Sequence, residues 1–271
     1  MAVAHAAIPH DYHVHTLFSF DGRLPLDTVC DEAIARGIPE VCTTDHADFV
    51  PGDDGCGYFQ PAAFFAELER CRERYDGRLT LRAGVEIGEA HRYPAEVDQL
   101  LNGHPFDFVI GSLHYVGDEF LMTRRYFEGR TAREAYTAYF AELLELAKVG
   151  DFDVLGHLDV PKRYGVAVHG PFDEREYEEE IRAVLRVCIE RGIGIEINTG
   201  TTRRAGVPSP GPEALRWYRE MGGEILTIGS DGHRAEHIGY ALDEAVALAR
   251  AAGFTHLTTF ERRQPRFVPL P

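Results

Sequence analysis

The chain has 271 residues, 44% apolar and 11% aromatic, enough for the core that a barrel of roughly 250 residues closes around as one domain. A formal net charge of −16 repels phosphate backbones and anionic lipid, which sets aside a general nucleic-acid or membrane-surface role. Cys30, Cys42, Cys56, Cys71 and Cys188 are odd in number and form no CxxC pair, so neither a disulfide framework nor a thiolate metal site is expected. With no basic leader and no apolar run long enough to span a bilayer, the chain reads as soluble and cytoplasmic.

In chain order, Asp11-Tyr12-His13-Val14-His15 reads as an extended opening strand, followed closely by Asp21. Side chains on a strand alternate, so His13 and His15 share a face and can serve one metal ion. Further strand-like runs cover 39–44, 79–85, 106–111, 152–156, 193–197 and 225–229. Between them lie helix-like segments at 24–36, 61–75, 94–101, 131–149, 173–191, 212–222 and 238–252, with apolar residues at helical spacing such as Ile181, Val184, Leu185 and Cys188. Thr131 and Glu134 form a capping-box pattern, Pro61 and Pro212 sit near first turns, and Gly37, Gly150, Gly192 and Gly253 fall just past last turns. Repeated strand-helix units imply parallel strands with right-handed crossovers. The expected fold is an α/β, (β/α)7 TIM-like barrel forming a single domain over 1–271, with an open doubly wound sheet as the alternative.

The polar residues just past each strand are His13 and His15, Asp45 and His46, Glu86, His114, His157, Asn198, and Asp231 with His233. In a parallel barrel all of these positions lie on the C-terminal face, where active sites of such folds are built. Imidazoles and carboxylates without thiolates suit zinc, iron or manganese, and the set is too large for one tetrahedral ion, so more than one metal is expected. A carboxylate such as Glu86 can bridge two cations, and paired metals activate water for displacement at phosphorus. Hydrolysis is the natural chemistry, since the sequence has no Gly-x-Ser-x-Gly elbow, Walker loop or Gly-x-Gly-x-x-Gly turn.

The ordered motifs Asp11-x-His13-x-His15, Thr44-Asp45-His46, Glu86, Gly111-Ser112-Leu113-His114, Gly156-His157-Leu158-Asp159 and Ser230-Asp231-x-His233 resemble those of the polymerase and histidinol phosphatase (PHP) superfamily. More narrowly, they resemble its monofunctional histidinol-phosphatase branch. The resemblance implies a distorted (β/α)7 barrel with three metal ions: His13, His15, Glu86 and Asp231 on the first, Glu86, His114 and His157 on the second, and Asp21, His46 and His233 on the third. Asp21 stands where many relatives carry histidine and others aspartate. The implied reaction is hydrolysis of L-histidinol phosphate to L-histidinol and phosphate in histidine biosynthesis, through a metal-bridging hydroxide that attacks phosphorus. Glu86, Asp231 and His233 are the residues expected to act in the chemistry.

Arg163, Arg203 and Arg204, which follow strands five and six on the same rim, are candidates for gripping the phosphate, with Lys162 beside them. The segments 47–60, with Asp48, Asp53 and Asp54 among aromatics, and 115–129, with Arg124 and Arg125 among aromatics, are candidate walls for a cationic small-molecule phosphate ester. Three rivals remain at this level. A PHP-type phosphoesterase acting on a nucleotide or other small ester or diester would use the same metals, although the acidic charge argues against long nucleic acid. An amidohydrolase-like hydrolase would typically carry a carboxylated lysine after its fourth strand, where this chain has Gly111-Ser112-Leu113-His114. A non-catalytic metal-binding scaffold would be expected to have lost ligands, and none is lost.

Overall fold

The computed structural model describes residues 8–271. Seven parallel strands form one sheet in the order β1 (Asp11–Val14), β2 (Glu40–Ala47), β3 (Thr80–Gly88), β4 (Phe108–Ser112), β7 (Val154–Leu155), β8 (Gly194–Asn198) and β9 (Leu226–Gly229). The sheet curls until its ends meet: Val14 bridges Gly232 in parallel, and His15 N donates to Gly232 O at 2.9 Å. The result is a nearly closed (β/α)7 barrel, as the alternation of short apolar runs and amphipathic segments requires.

The helices are α1 (Leu26–Ala35), α2 (Pro61–Arg74), α3 (Pro94–Gly103), α4 (Ala132–Val149), α5 (Lys162–His169), α6 (Glu178–Arg191), α7 (Thr202–Ala205), α8 (Pro212–Glu220) and α9 (Leu242–Ala251). Helix α6 buries Ile181, Val184, Leu185 and Cys188 as its periodicity demands, each large side chain contributing about 1.5–3 kcal/mol. Helix α4 opens on the Thr131–Glu134 capping box and buries Tyr136, Tyr139, Phe140 and Leu143. Among the described residues no helix is long and apolar enough to cross a membrane.

Three features depart from the sequence expectation. The region following β7 folds into α5, which went unread because Lys162 and Arg163 interrupt its apolar pattern. Tyr115–Val116 and Glu119–Phe120 form a small antiparallel hairpin, β5–β6, over the C-terminal rim. At the opposite end β10 (His256–Glu261) and β11 (Gln264–Pro269) make a second hairpin. Its Phe260 packs with Tyr12, Cys42, Phe108, Ile110 and Val154, residues that precede the polar strand ends and so fill the barrel below them.

Candidate metal centre

Glu86, near the end of β3 and 1% exposed, is the hub of the rim. Its Oε2 lies 3.2 Å from His13 Nε2, 3.4 Å from His15 Nε2 and 3.2 Å from His46 Nδ1. Its Oε1 lies 3.1 Å from His157 Nε2 and 3.5 Å from His114 Nε2, and accepts a hydrogen bond from Ser112 Oγ. Five imidazoles from four strands and their following turns therefore converge on one carboxylate. A second centre is Asp231, whose Oδ1 lies 3.5 Å from His15 Nε2 and 3.4 Å from His233 Nδ1. Asp231 has φ 53°, a left-handed conformation unusual outside glycine, so the turn after β9 is strained in placing this carboxylate. Asp21 completes the set, with Oδ2 3.0 Å from His233 Nε2 and Oδ1 3.8 Å from His46 Nε2.

All nine predicted ligands, His13, His15, Asp21, His46, Glu86, His114, His157, Asp231 and His233, are thus brought to one place. Ligand atoms of His15, Asp21, His46 and His233 lie within 4.8 Å of one another, as do those of His13, His15 and Asp231, and those of His46, Glu86 and His114. His15 Nε2, Asp21 Oδ1 and His46 Nδ1 are buried with no hydrogen-bond partner. Such atoms are costly unless something satisfies them, and cations would do so. The donor set and its unpartnered atoms together suit several metal ions.

Neighbouring groups fix which imidazole nitrogen faces inward. Ser19 Oγ donates to Asp45 Oδ1 at 2.9 Å, so its lone pairs receive the backbone N–H of His46 at 2.9 Å and His15 Nδ1 at 3.0 Å. His15 therefore carries its proton on Nδ1 and turns the lone pair of Nε2 to the cluster. Burial, then the nearby His233 and His46, lowers its pKa to about 3, so it is neutral, the form that binds metal. Glu86 is raised by burial, but the surrounding imidazoles outweigh this and hold it well below the usual carboxylate range.

Two carboxylates in this frame carry roles that the sequence does not assign: Glu196, which it leaves unmarked, and Asp11, which it shows only as part of the opening motif. Glu196, on β8 in the run Ile195-Glu196-Ile197, contacts His13 Nδ1; the available signal was a charge inside an otherwise apolar strand. Gly229 makes room for this contact, since a Cβ there would lie 2.6 Å from Glu196 Oε1 and 2.3 Å from His13 Cβ. Asp11 accepts from Ser230 N, Ser230 Oγ and Gly239 N, and so anchors the loop bearing Asp231 and His233. Asn198 is fully buried and donates to Glu196 Oε2 at 3.3 Å.

The cluster floors a cavity of about 250 Å³. Of the three arginines considered for phosphate, Arg163 lines it, donating to Asp231 Oδ2 at 2.8 Å with its Nε buried and unpartnered. Arg203 does not: its guanidinium is spent on the carbonyls of Ser230 and Asp231, each at 2.9 Å. Arg204 lies outside, stacked on Tyr164 at 4.9 Å. Lys162 is buried between Asp159 and Pro208 O. From the two candidate wall segments, Asp48, Asp53, Tyr115, Phe120 and Met122 line the cavity, whereas Phe59, Tyr126 and Phe127 join the core.

The chain is similar to known proteins over most of its length. A histidinol-phosphatase of Lactococcus lactis is 31% identical over 254 residues, covering 92% of this chain and 93% of that protein. A Clostridium acetobutylicum protein named as a probable histidinol-phosphatase is 27% identical, covering 95% of this chain and 98% of the relative. The crystal structure of the Lactococcus lactis histidinol phosphate phosphatase, which holds zinc, L-histidinol and phosphate, superposes with a TM-score of 0.86 at 28% identity, covering 96% of this chain and 99% of that one. The PHP domain model matches residues 11–200, a span that holds every clustered ligand except Asp231 and His233. With most of the barrel and its ordered ligand motifs inside that match, the chain belongs to the PHP domain family and falls among its histidinol-phosphatases.

Proposed function

We propose that this protein is a metal-dependent phosphomonoesterase that hydrolyses L-histidinol phosphate to L-histidinol and phosphate. The observation that carries the reading is the pairing of the Glu86-centred cluster with a cavity of divided charge. Arg163 lines the cavity beside Asp231, and Asp48 and Asp53 line it together with Phe20, Tyr115 and Phe120. A substrate with a dianionic phosphoryl group and a cationic organic end matches that division.

In this reading three divalent ions, zinc, iron or manganese, would be held by His13, His15, Glu86 and Asp231, by Glu86, His114 and His157, and by Asp21, His46 and His233. Ions held there supply Lewis acidity at the phosphoryl oxygens and a nucleophile from water at neutral pH. The chain's own groups do the rest. Arg163, on the cavity lining beside Asp231, offers guanidinium donors to a non-bridging oxygen, where charge develops. Glu86 keeps the cluster's charge balanced because it stays ionised among five imidazoles. Asp231 and His233 flank the cavity where a proton must be held or passed as the alcohol leaves. Tyr115 and Phe120 cover the organic portion and exclude water from it.

A substrate panel tests the reading: histidinol phosphate, other amino-alcohol phosphates, mononucleotides and a phosphodiester, assayed with the metal-loaded protein. Histidinol phosphate is expected to give the highest kcat/KM, and a preference for the diester would overturn the assignment.

A further inference from the structure

Beside the metal cavity lies a groove lined by Met122, Thr123, Arg124, Arg163, Tyr164 and Arg204. It shares Met122, Arg163 and Tyr164 with the cavity, so the two adjoin across these side chains. Their charges are opposite. The cavity lining holds Asp21, Asp48, Asp53, Glu86 and Asp231, whereas the groove holds three guanidinium groups and no carboxylate.

Arg124 and Arg204 are both exposed, and among the described residues neither has a carboxylate or carbonyl partner. Most arginines on this acidic surface are paired, as Arg70 is with Asp27 and Glu67, and Arg130 with Glu119. The two groove arginines are instead placed by apolar neighbours. Arg204 lies over the Tyr164 ring at 4.9 Å, and Arg124 begins a 3-10 turn whose Tyr126 and Phe127 are buried anchors. Their N–H donors stay free, while Arg203, the next residue to Arg204, spends its own on Ser230 and Asp231.

We infer that this groove is an outer anion subsite. It receives the phosphoryl dianion of an incoming phosphate monoester on Arg124 and Arg204 and delivers it to Arg163 at the shared wall. The inference rests on the phosphomonoesterase reading above. A chain with net charge −16 repels a dianion at long range, and a carboxylate-free strip of guanidinium groups at the entrance reverses that field locally. Arginine suits the task because it stays charged and offers a planar fork of donors to phosphate oxygens. The subsite acts on substrate concentration at the entrance and not on the reacting atoms.

The test is the surface double variant Arg124→Gln/Arg204→Gln, assayed beside the parent with histidinol phosphate and with p-nitrophenyl phosphate at ionic strengths of about 0.01 M and about 1 M. KM for both esters is expected to rise ~3- to 10-fold at low ionic strength and to match the parent at high ionic strength, with kcat unchanged. The charge reversal Arg124→Glu/Arg204→Glu is expected to extend the low-salt effect further. An unchanged KM at low ionic strength overturns the inference, as does a rise that persists undiminished at 1 M. Released orthophosphate is the other source of the same dianion; if only its inhibition constant moves while KM stays fixed, the groove does not receive substrate and the inference fails. Should the parent hydrolyse p-nitrophenyl phosphate and not histidinol phosphate, the substrate assignment falls while the groove remains tested by the first ester.

Discussion

Glu196 joins two of the proposed metal sites: its Oε1 accepts from His13 Nδ1 at 2.6 Å, and its Oε2 accepts the backbone N–H of His157 at 3.0 Å. Both contacts are buried, and together they set the ring of one ligand and the backbone of another. A carboxylate only accepts, so His13 carries its proton on Nδ1 and presents Nε2 to the cluster. Glu196→Gln removes this double acceptance, because one end of the amide donates and cannot receive a hydrogen bond from either partner. Metal affinity is expected to fall ~10- to 100-fold, read by chelator competition with the bound metal quantified. An unchanged affinity would show that the pair does not orient the ligands.

Glu86→Gln tests the hub directly. The change keeps the shape of the side chain but removes the charge that faces five imidazoles and would bridge two cations. The variant is expected to fold, because β3 is held by backbone pairing with β2 and β4 on both sides. It is expected to lose bound metal and more than ~100-fold in kcat/KM for histidinol phosphate. His157→Ala should move both measurements in the same direction. Full activity with unchanged metal content in either variant would sink the multinuclear proposal.

The strands and the ligands were legible for the same reason. Short β runs in a parallel barrel are buried on both faces, so a histidine or carboxylate at the end of an apolar run is conspicuous, as at Glu86, His114 and His157. Glu196 is inconspicuous because it sits within its run and not after it, where Asn198 marks the strand end. Arg203 misled for another reason: sequence places it on the rim, but only the fold shows its guanidinium folded back on two carbonyls. The C-terminal hairpin was unreadable because its partner for Tyr12 and Phe108, Phe260, lies far along the chain.

Asp153 gives a pH prediction away from the metal centre. It lies with Oδ1 3.0 Å from Arg263 Nε and Oδ2 accepting Val109 N at 2.9 Å. Burial nevertheless pushes its carboxyl up to about 6, more than Arg263 and the hydrogen bonds bring it down. The unfolded value is about 3.9. The folded protein therefore holds this proton longer, and the group's contribution to stability is full below about pH 4 and lost as pH rises through about 6. Asp153→Asn does not titrate and keeps an acceptor for Val109. In urea unfolding across pH, the variant is expected to gain on the parent between about pH 4 and 6 and then hold a constant difference. A flat difference over that window would show an ordinary carboxyl.

Asp53 separates recognition of the organic end from the chemistry. Tyr115 OH donates to its Oδ2, which stitches the β5–β6 hairpin to the loop after β2, and Gly55 N donates to its Oδ1 at 2.7 Å. Asp53→Asn keeps an acceptor for Gly55 N and turns an amide N–H to the Tyr115 hydroxyl oxygen, which can accept it, while removing one of the carboxylate charges that line the cavity. A cationic substrate loses an attraction worth about one charge-assisted hydrogen bond, so KM for histidinol phosphate is expected to rise ~10-fold. p-Nitrophenyl phosphate carries no cation, and its KM should stay put. Tyr115→Phe keeps the aromatic wall and the Asp53 charge but frees the hairpin from the loop, so it should affect both esters alike. Equal effects of Asp53→Asn on the two esters would mean that Asp53 shapes the wall without reading the substrate's charge.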